Sequence, residues 1–426
     1  MTSASGTPRT TTRRAGPAFL GALAVLLSLP IVGCDGEPGG PPRLRFATWF
    51  GTREAAEMAP IVAAINARNA GRFVLEMITI PDAYLTKIDT MMAGGLAPDL
   101  FLLSAEYLVS YASVGAIADL DDRIRRDPTI DLADFYPSAI SASTCRGRLH
   151  SLPWVMMPIV LYFNKDLFDQ AREPYPDATW DWARFAVAAR ALTKRDGSGR
   201  AARWGFVQHT WPPYLIWVWQ NGGDVLSADG KRPTLTDPRT VEALSFLDRL
   251  VNVDGVTPSA GTVSQLGVNE LFKSGRIAMF FGGSSDDHDR TPGLRVGVAE
   301  LPKGRVRATF AWMGHLVVSS RTRHPDLAYV AWRELLEGFH RWKIVAPRRS
   351  LARQLERFEP RKAAARSVIL ASMDYSRPVR GVVEQTDWDG FVLEKLLLPV
   401  LRGEERADRA AAVTQRKLER ILETTR

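Results

Sequence analysis

Aromatic and acidic side chains stand at the ends of several predicted strands, where they could bind a carbohydrate. Trp49 lies at the end of the strand predicted in LRFATWF, and Glu106 comes shortly after the apolar stretch DLFLLS. Gly283 and Ser284 come just after the stretch RIAMFF. Ligands of open parallel sheets bind at the carboxyl ends of the strands, so these four residues are candidate ligand contacts. Indole rings can cover the apolar C–H face of a sugar, while carboxylates accept hydrogen bonds from its hydroxyl groups.

The chain contains 12 tryptophans, and their positions divide most of them into two sets. One set falls inside helical or strand patterns and is predicted to pack in the core. Its members are Trp180, Trp182, Trp204 and Trp332. The other set falls at strand ends, in loops or in segments that could cross between two lobes. Besides Trp49, its candidate ligand-binding members are Trp154, Trp211, Trp312 and Trp388.

Glu106 is the strongest polar candidate for a ligand contact. The alternative for this residue is an exposed glutamate at the start of a helix, where the helix dipole favours a negative charge. A glycosidase would need two carboxylates on either side of the scissile bond, and acids such as Asp387 and Asp389 leave that alternative open. No nucleophile elbow, phosphate loop or HExxH motif is present. We therefore predict a binding protein without catalytic residues.

Neither a metal nor a cofactor is predicted. The six histidines show no close metal-ligand spacing, and SSDDHD (284–289) is typical of a solvated loop, with a cation site as the alternative. The net charge of +8 is diffuse, with no run of like charge long enough to form a nucleic-acid groove.

Strand and helix patterns alternate through residues 44–104. Alternating and β-branched or aromatic residues predict strands at 44–50, 72–80 and 99–104, and helical spacing predicts helices at 53–69 and 83–95. This order requires right-handed crossovers and a parallel sheet, so the predicted fold class is α/β.

Capping residues predict where two later helices begin. Thr179 is the expected N-cap of a helix at 179–195, and Asp237 followed by Pro238 is expected to open a helix at 237–252.

The amino terminus has the features of an export signal. Arg9, Arg13 and Arg14 precede an apolar, uncharged run, and the segment ends in IVGC, so residues 1–33 are predicted to be a signal peptide, with a transmembrane anchor as the alternative. Cys34 resembles the lipid-attachment cysteine of bacterial lipoproteins, and the Gly/Pro-rich residues 34–43 would form a flexible tether. Because Cys145 is the only other cysteine, no internal disulfide is expected.

Several stretches, in order, resemble the family 1 extracellular solute-binding proteins of ATP-driven importers. They are MMAGGLAPDLFLL (91–103), GRLHSLPWVMMPIVLYFNKDLFDQ (147–170), PYPDATWDWARFAVAARALT (174–193), QNGGDVLS (220–227), ELFKSGRIAMFFGG (270–283), ELPKG (300–304) and MGHLVVSSRTRHPDLAYVAWREL (313–335).

The resemblance implies a two-lobed α/β fold in which each lobe is a mostly parallel sheet flanked by helices. The chain would cross between the lobes three times, near 157–162, 312–318 and 374–380. The implied boundaries place 44–157 and 316–374 in lobe 1, and 158–315 and 375–426 in lobe 2.

The resemblance also implies what the protein does. It would be a monomeric, lipid-anchored receptor facing the periplasm or cell exterior, which captures a carbohydrate between the lobes and passes it to membrane permease subunits. Leu103 and Met157 depart from the maltose-type pattern, which puts maltodextrins in doubt. A non-sugar solute such as glycerol phosphate, or a sensor that presents its ligand, are the alternatives.

Overall fold

The amino-terminal alternation of strands and helices is present in the computed structural model, which describes residues 40–208, 210–211, 213–342 and 345–424. The first five elements match the predicted strands and helices, and β1 pairs in parallel with both β2 and β3. They are β1 (Arg43–Thr48), α1 (Thr52–Arg68), β2 (Val74–Thr79), α2 (Tyr84–Ala93) and β3 (Leu100–Ser104).

Nine further strands follow within the described part of the chain. Two of them, β6 and β11, are long and lie side by side. The strands are β4 (Thr144–Cys145), β5 (Arg148–Leu149), β6 (Ser151–Asn164), β7 (Lys194–Arg195), β8 (Ala201–Val207), β9 (Ile277–Gly283), β10 (Val296–Ala299), β11 (Thr309–Val318) and β12 (Ser376–Arg377).

The remaining helices cover the sheet and fill the carboxyl-terminal part of the chain. A 3₁₀ segment at Ala105–Tyr107 joins β3 to the helix after it, and another at Pro360–Ala365 joins two helices. The α-helices are α3 (Leu108–Ser113), α4 (Asp121–Arg126), α5 (Pro137–Ala142), α6 (Lys165–Ala171), α7 (Trp182–Leu192), α8 (Leu215–Gln220), α9 (Pro238–Asp248), α10 (Ala260–Leu266), α11 (Val268–Lys273), α12 (Pro325–His340), α13 (Arg349–Ala352), α14 (Leu355–Phe358), α15 (Arg366–Asp374), α16 (Gln385–Val392), α17 (Leu398–Leu401) and α18 (Ala407–Thr424).

Ten strands form one sheet with the path β2-β1-β3-β11-β6-β9-β8-β7, to which β10 and β12 are added at β6 and β11. The first three strands are parallel, as predicted, whereas β11 pairs antiparallel with β3 and with β6, and β6 pairs antiparallel with β9. Among the described strands beyond β3, β8 pairs in parallel with β9 and β12 in parallel with β11, so this half of the sheet is mixed rather than mostly parallel. This part of the sheet is mixed because its two long strands, β6 and β11, run in opposite directions.

The buried apolar residues form two large clusters. The first core cluster is built from β1 to β3 and α12, and the second from α7, α8, α9, β9, α16 and α18. Both β6 and β11 contribute to each cluster: Met156 packs in the first and Ile159 in the second, while Ala311 packs in the first and Phe310 in the second. These strands therefore carry the chain from one core to the other, and the lobe boundaries derived from the sequence stay a prediction.

Capping side chains mark where two of the helices begin, because each accepts a hydrogen bond from an amide in the first turn of its helix. Asp237 caps α9, as predicted, and its carboxylate accepts from the Arg239 amide at 2.8 Å. The prediction that Thr179 caps the preceding long helix is wrong, because α7 begins at Trp182 and Asp181 accepts from the Arg184 amide at 2.8 Å. Thr179 instead donates its hydroxyl to Asp177, within a separate turn.

We expect the Asp181→Ala variant to lower the free energy of unfolding by about 1 kcal/mol, since an N-cap carboxylate satisfies an otherwise unpaired helix amide. Urea denaturation of the purified protein measures this. Thr179→Ala is the matched control and should cost clearly less. The reverse order of the two effects would contradict the assignment of the cap.

Candidate ligand-binding site

A cavity of about 630 Å³ lies between residues of the second core cluster on one side and Glu106 and α5 on the other, and α5 packs in the first cluster through Ala139 and Ala142. From the side of the first cluster, Glu106 reaches it from the 3₁₀ turn after β3, together with α5 residues. From the other side come α8, the segment around β12, and α16. The cavity's side chains that matter for binding are Glu106, Ser138, Ser141, Trp211, Tyr214, Trp219, Asp224, Phe310, Arg377, Arg380, Gln385, Trp388 and Asp389.

Aromatic rings form a large part of the cavity wall. Trp211 is 40% exposed, whereas Tyr214, Trp219 and Trp388 are buried in the second core cluster and present only part of each ring. Because the buried rings are held by packing, they offer rigid apolar surfaces on which the C–H face of a ring-shaped solute can lie.

Two carboxyl groups, Glu106 and Asp389, occupy the cavity without a cationic partner among the described residues. Burial raises the pKa of Glu106 to about 7, and the nearby charge of Asp389 acts in the same direction. Burial also raises the pKa of Asp389, while the Gln385 side-chain amide, which donates to it at 2.9 Å, partly opposes that shift. The Asp389 side chain is nevertheless exposed to solvent, and it lines the cavity as Glu106 does, so both groups can contact a ligand.

The cavity's two arginines are paired with a different acid. Arg377 and Arg380 donate to the same oxygen of Asp224, at 2.7 and 2.8 Å. Arg380 also donates to the backbone carbonyl of Leu226, and the Arg377 guanidinium lies 4.7 Å from the Trp219 ring. These contacts fix the orientation of both guanidinium groups, and they leave Glu106 and Asp389 uncompensated.

Three of the eight predicted ligand-binding residues line this cavity: Glu106, Trp211 and Trp388. The structure adds Asp389, Asp224, Arg377 and Arg380, which sequence reasoning missed. A signal was available for three of them, since Arg377 and Arg380 lie in the predicted third crossing and Asp224 in the quoted QNGGDVLS stretch.

The other five predicted residues lie outside the lining of this cavity. Trp49, Trp154 and Trp312 pack together, with ring centroids 6.0 to 6.4 Å apart. Trp154 is 4% exposed, and its indole Nε1 has no hydrogen-bond partner in the described part of the chain.

Gly283 lies beside that aromatic group rather than the cavity, and the Ser284 amide donates to the Pro158 carbonyl at 3.0 Å. Met157 pairs with Trp312 across β6 and β11, and a Cβ on Gly283 would lie 2.5 Å from the Met157 sulfur. Phe310 lines the cavity, and Trp312 stands two residues further along the same face of β11, so the two groups of residues follow one strand. A ligand role for these five residues stays a prediction.

The tryptophans predicted to pack in the core do so. Trp332 and Trp180 are buried, and Trp182 stacks on Phe246 with centroids 4.4 Å apart. Trp204 is half-buried and packs against Val207 and its neighbours. Their apolar periodicity was therefore a sufficient signal.

Three further observations concern the predicted lipid anchor, the membrane-anchor alternative and the possible metal site. Cys145 is buried and free, whereas Cys34, the predicted lipidation site, lies outside the described residues. No helix in the described ranges is long and apolar enough to cross a membrane. In those same ranges, His, Cys, Asp and Glu side chains form no group of three or more that could hold a metal ion.

Comparisons with known proteins agree with this architecture. The sequence profile of a family described as bacterial extracellular solute-binding protein matches residues 79–333. A putative binding protein of Brucella abortus is 25% identical over 273 residues, which span 62% of this chain and 65% of the relative, just under two thirds. The maltodextrin-binding protein of Bacillus subtilis is 23% identical over 337 residues, covering 75% of this chain and 76% of that protein.

A solved structure shows the same fold. An ABC substrate-binding protein from Listeria monocytogenes, in complex with cycloalternan, superposes with a TM-score of 0.78 at 23% identity, covering 90% of this chain and 99% of that one. The two-lobed α/β fold that the sequence predicts is thereby confirmed.

The pKa of Glu106 predicts how stability depends on pH. A carboxyl group whose pKa rises from about 4.5 to about 7 on folding binds its proton more tightly in the folded state. Its contribution to stability is present below about pH 4.5 and is lost as the pH rises through about 7. We expect this loss to reach about 1–2 kcal/mol by pH 8, allowing for the partial exposure of the side chain.

Urea denaturation of the ligand-free protein at pH 5 and pH 8 measures that loss. Glu106→Gln should remove it, so that the variant gains stability relative to the parent protein only at the higher pH. Glu394→Gln, at an exposed position, is the control and should leave the pH dependence unchanged. An identical pH dependence in the parent and in Glu106→Gln would contradict the shift.

Proposed function

The chain belongs to the bacterial extracellular solute-binding proteins, and from that premise we propose that it captures a carbohydrate and delivers it to an ATP-driven permease. The observation that carries the proposal is the cavity between the two cores, which combines aromatic walls with two carboxyl groups. The names of two relatives support it, since one is called maltodextrin-binding and the other was solved with cycloalternan.

Each part of the cavity has a role in this proposal. Trp211, Trp219 and Trp388 stack against the apolar faces of sugar rings, and Glu106 and Asp389 accept hydrogen bonds from hydroxyl groups. The hydroxyls of Ser138 and Ser141 add neutral donors and acceptors from the side of the first core. Such a mixture of rigid rings and few polar groups suits a neutral or weakly charged sugar better than an apolar ligand.

The two cores give the site a means of closing. Residues of the second core line the cavity opposite Glu106 and α5, which packs in the first core through Ala139 and Ala142, and the chain passes between the cores through β6, β11 and the segment around β12. A small change in backbone angles within these crossings would bring Glu106 towards Trp211 and Trp388 and shield the ligand from water. The closed form would then be the one that docks on the permease subunits.

The amino terminus completes the proposed function. Cys34 would carry a lipid that holds the protein at the membrane, and the Gly/Pro-rich tether to residue 43 would let the binding lobes reach the permease. The proposed receptor acts as a monomer and needs no cofactor.

A carbohydrate that fits should raise the melting temperature, because it binds only the folded protein. We expect a thermal-shift screen of mono-, di- and trisaccharides and polyols to yield at least one ligand, recovered intact by mass spectrometry. Trp211→Ala should weaken its binding by about 1–3 kcal/mol, as expected for a stacking anchor. Trp204→Ala, outside the cavity, is the matched control and should leave the affinity unchanged.

Two outcomes of that screen would argue against the proposal. A screen without any ligand would favour a non-sugar solute such as glycerol phosphate. A cleaved glycoside would favour a glycosidase, in which Glu106 with its raised pKa acts as the acid.

The anchor is tested by metabolic labelling with an alkyne fatty acid. The parent protein should incorporate the label and sediment with membranes, and Cys34→Ser should lose the label. Cys145→Ser is the control and should keep both properties, because Cys145 is buried in the first core cluster. Equal labelling of Cys34→Ser and the parent would refute the lipid attachment.

A further inference from the structure

We propose that the preferred ligand is an amino-substituted carbohydrate, whose positively charged ammonium group lies between Glu106 and Asp389. This inference rests on the proposed function and names the substrate class more closely. It is carried by the distribution of charge around the cavity: among the described residues, Glu106 and Asp389 have no cationic partner, and both arginines in the lining pair with Asp224.

The first step concerns the two carboxyl groups themselves. Neither Glu106 nor Asp389 forms an ion pair within the described chain, and the side-chain bond to Asp389 comes from the neutral amide of Gln385. The Gln385 side chain is itself held in place, because its oxygen accepts from the Val382 amide at 3.1 Å. Asp389 is therefore oriented by the fold, although its charge is not compensated.

The second step concerns the arginines in the same cavity. Both Arg377 and Arg380 are directed to Asp224, and Arg380 also donates to the backbone carbonyls of Ser227 and Leu226. If either guanidinium neutralised Glu106, the pKa of that carboxyl would fall, whereas burial raises it. The lining arginines thus neutralise Asp224 and leave Glu106 and Asp389 without a counter-charge in the described part of the cavity.

The third step concerns the adjoining groove. Another pocket, of about 280 Å³, shares Gln385 with the cavity and is lined by Asp89, Glu384 and Asp387, and its described lining holds no lysine or arginine. One carboxylate oxygen of Glu384 is buried without a hydrogen-bond partner in the described structure. Acids thus gather on this side of the cavity in a chain whose overall net charge is +8, so the accumulation does not follow from composition.

Aromatic rings complete a site for a cation. Trp388 precedes Asp389 in α16, and it lines the cavity together with Tyr214. Aromatic faces attract ammonium groups, and charged hydrogen bonds to carboxylates are stronger than neutral ones. A hydroxyl group would satisfy one acceptor and leave the buried charge, whereas an ammonium group donates hydrogen bonds and neutralises the charge.

Binding of such a ligand would be linked to protons. An ammonium group favours the ionised form of Glu106, so binding releases a proton from that carboxyl group, and the affinity rises from pH 5 to pH 7, where the ligand is still protonated. The charged and titratable groups that face Glu106 include one further acid, two arginines and two tyrosines besides Asp389. They are Asp224, Arg377, Arg380, Tyr107 and Tyr214.

Calorimetry with matched sugar pairs tests the proposal. Each pair differs only by an amino or a hydroxyl group at C2: glucosamine and glucose, galactosamine and galactose, mannosamine and mannose, and the β-1,4-linked glucosamine trimer and cellotriose. At pH 7 the amino member of at least one pair should bind about tenfold tighter or more. N-acetylation of that amino sugar should remove the preference, because it removes the charge.

Variants locate the preference in the cavity. The double variant Glu106→Gln, Asp389→Asn should bind the amino and hydroxyl members of the pair equally, and its melting temperature verifies that it folds. Glu394→Gln, which removes an exposed acid outside the cavity lining, should keep the full preference. A preference that survives the double variant would overturn the assignment.

The outcomes also separate this inference from the proposed function. Hydroxyl sugars that bind as tightly as their amino counterparts in every pair would overturn the inference and leave carbohydrate binding intact. If no member of any pair binds and the carbohydrate screen yields no ligand, both the inference and the proposed function are overturned.

Discussion

The antiparallel pairing of β6 and β11 is the contact on which the two-lobed structure depends. Residues of each strand pack in both core clusters, and the pairing runs from Ala311 opposite Pro158 to Val317 opposite Ser151. Because these strands hold the cores together, anything that bends the pairing moves one core relative to the other. Pro153 and Pro158 place two residues without amide donors in β6, and the register shifts between Gly314 and His315.

The imidazole of His340 donates to the Pro153 carbonyl at 2.9 Å, and burial lowers the pKa of His340 to about 4, so the ring is neutral at physiological pH.

The chemistry of the cavity depends on what this pairing brings into reach. Successive side chains of a strand alternate between its two faces, so Phe310 and Trp312 lie on one face of β11 and connect the cavity with the tryptophan group around Trp154. Gly314 continues that face, and a Cβ there would lie 2.5 Å from the Trp154 indole nitrogen. The absence of a side chain at Gly314 therefore allows the Trp154 ring to lie flat against the strand. The same crossing that joins the cores thus also shapes the surface on which a ring-shaped solute would lie.

Sequence periodicity predicts local structure well and long-range pairing poorly. The apolar patterns of β1 to β3 and the Asp-Pro start of α9 depend on neighbouring residues only, and the structure confirms them. The prediction that Thr179 caps α7 is wrong because two capping side chains compete within three residues, and the Thr179 hydroxyl donates to Asp177 in a separate turn. The direction of β9 beside β6 leaves no trace in periodicity, since parallel and antiparallel strands share a period of two. The same limit applies to the cavity: Glu106 could be predicted from the end of β3, whereas Asp224 meets Arg377 across 153 positions of sequence.

Uncompensated carboxyl groups in the cavity, Glu106 above all, lower the stability of the ligand-free protein, and their retention calls for a physical reason. Burial disfavours the charged form of Glu106, so the folded protein becomes less stable as the pH rises through about 7. The extended cores, with Trp332 and Trp217 almost fully buried, supply the apolar burial that offsets such a local loss. A ligand that donates hydrogen bonds to these acids recovers the lost free energy on binding, and it does so most effectively if it carries the opposite charge. The charge of Glu106 therefore lowers the stability of the ligand-free fold but favours binding of a ligand. For this reason the cavity is better suited to holding a solute than to remaining empty.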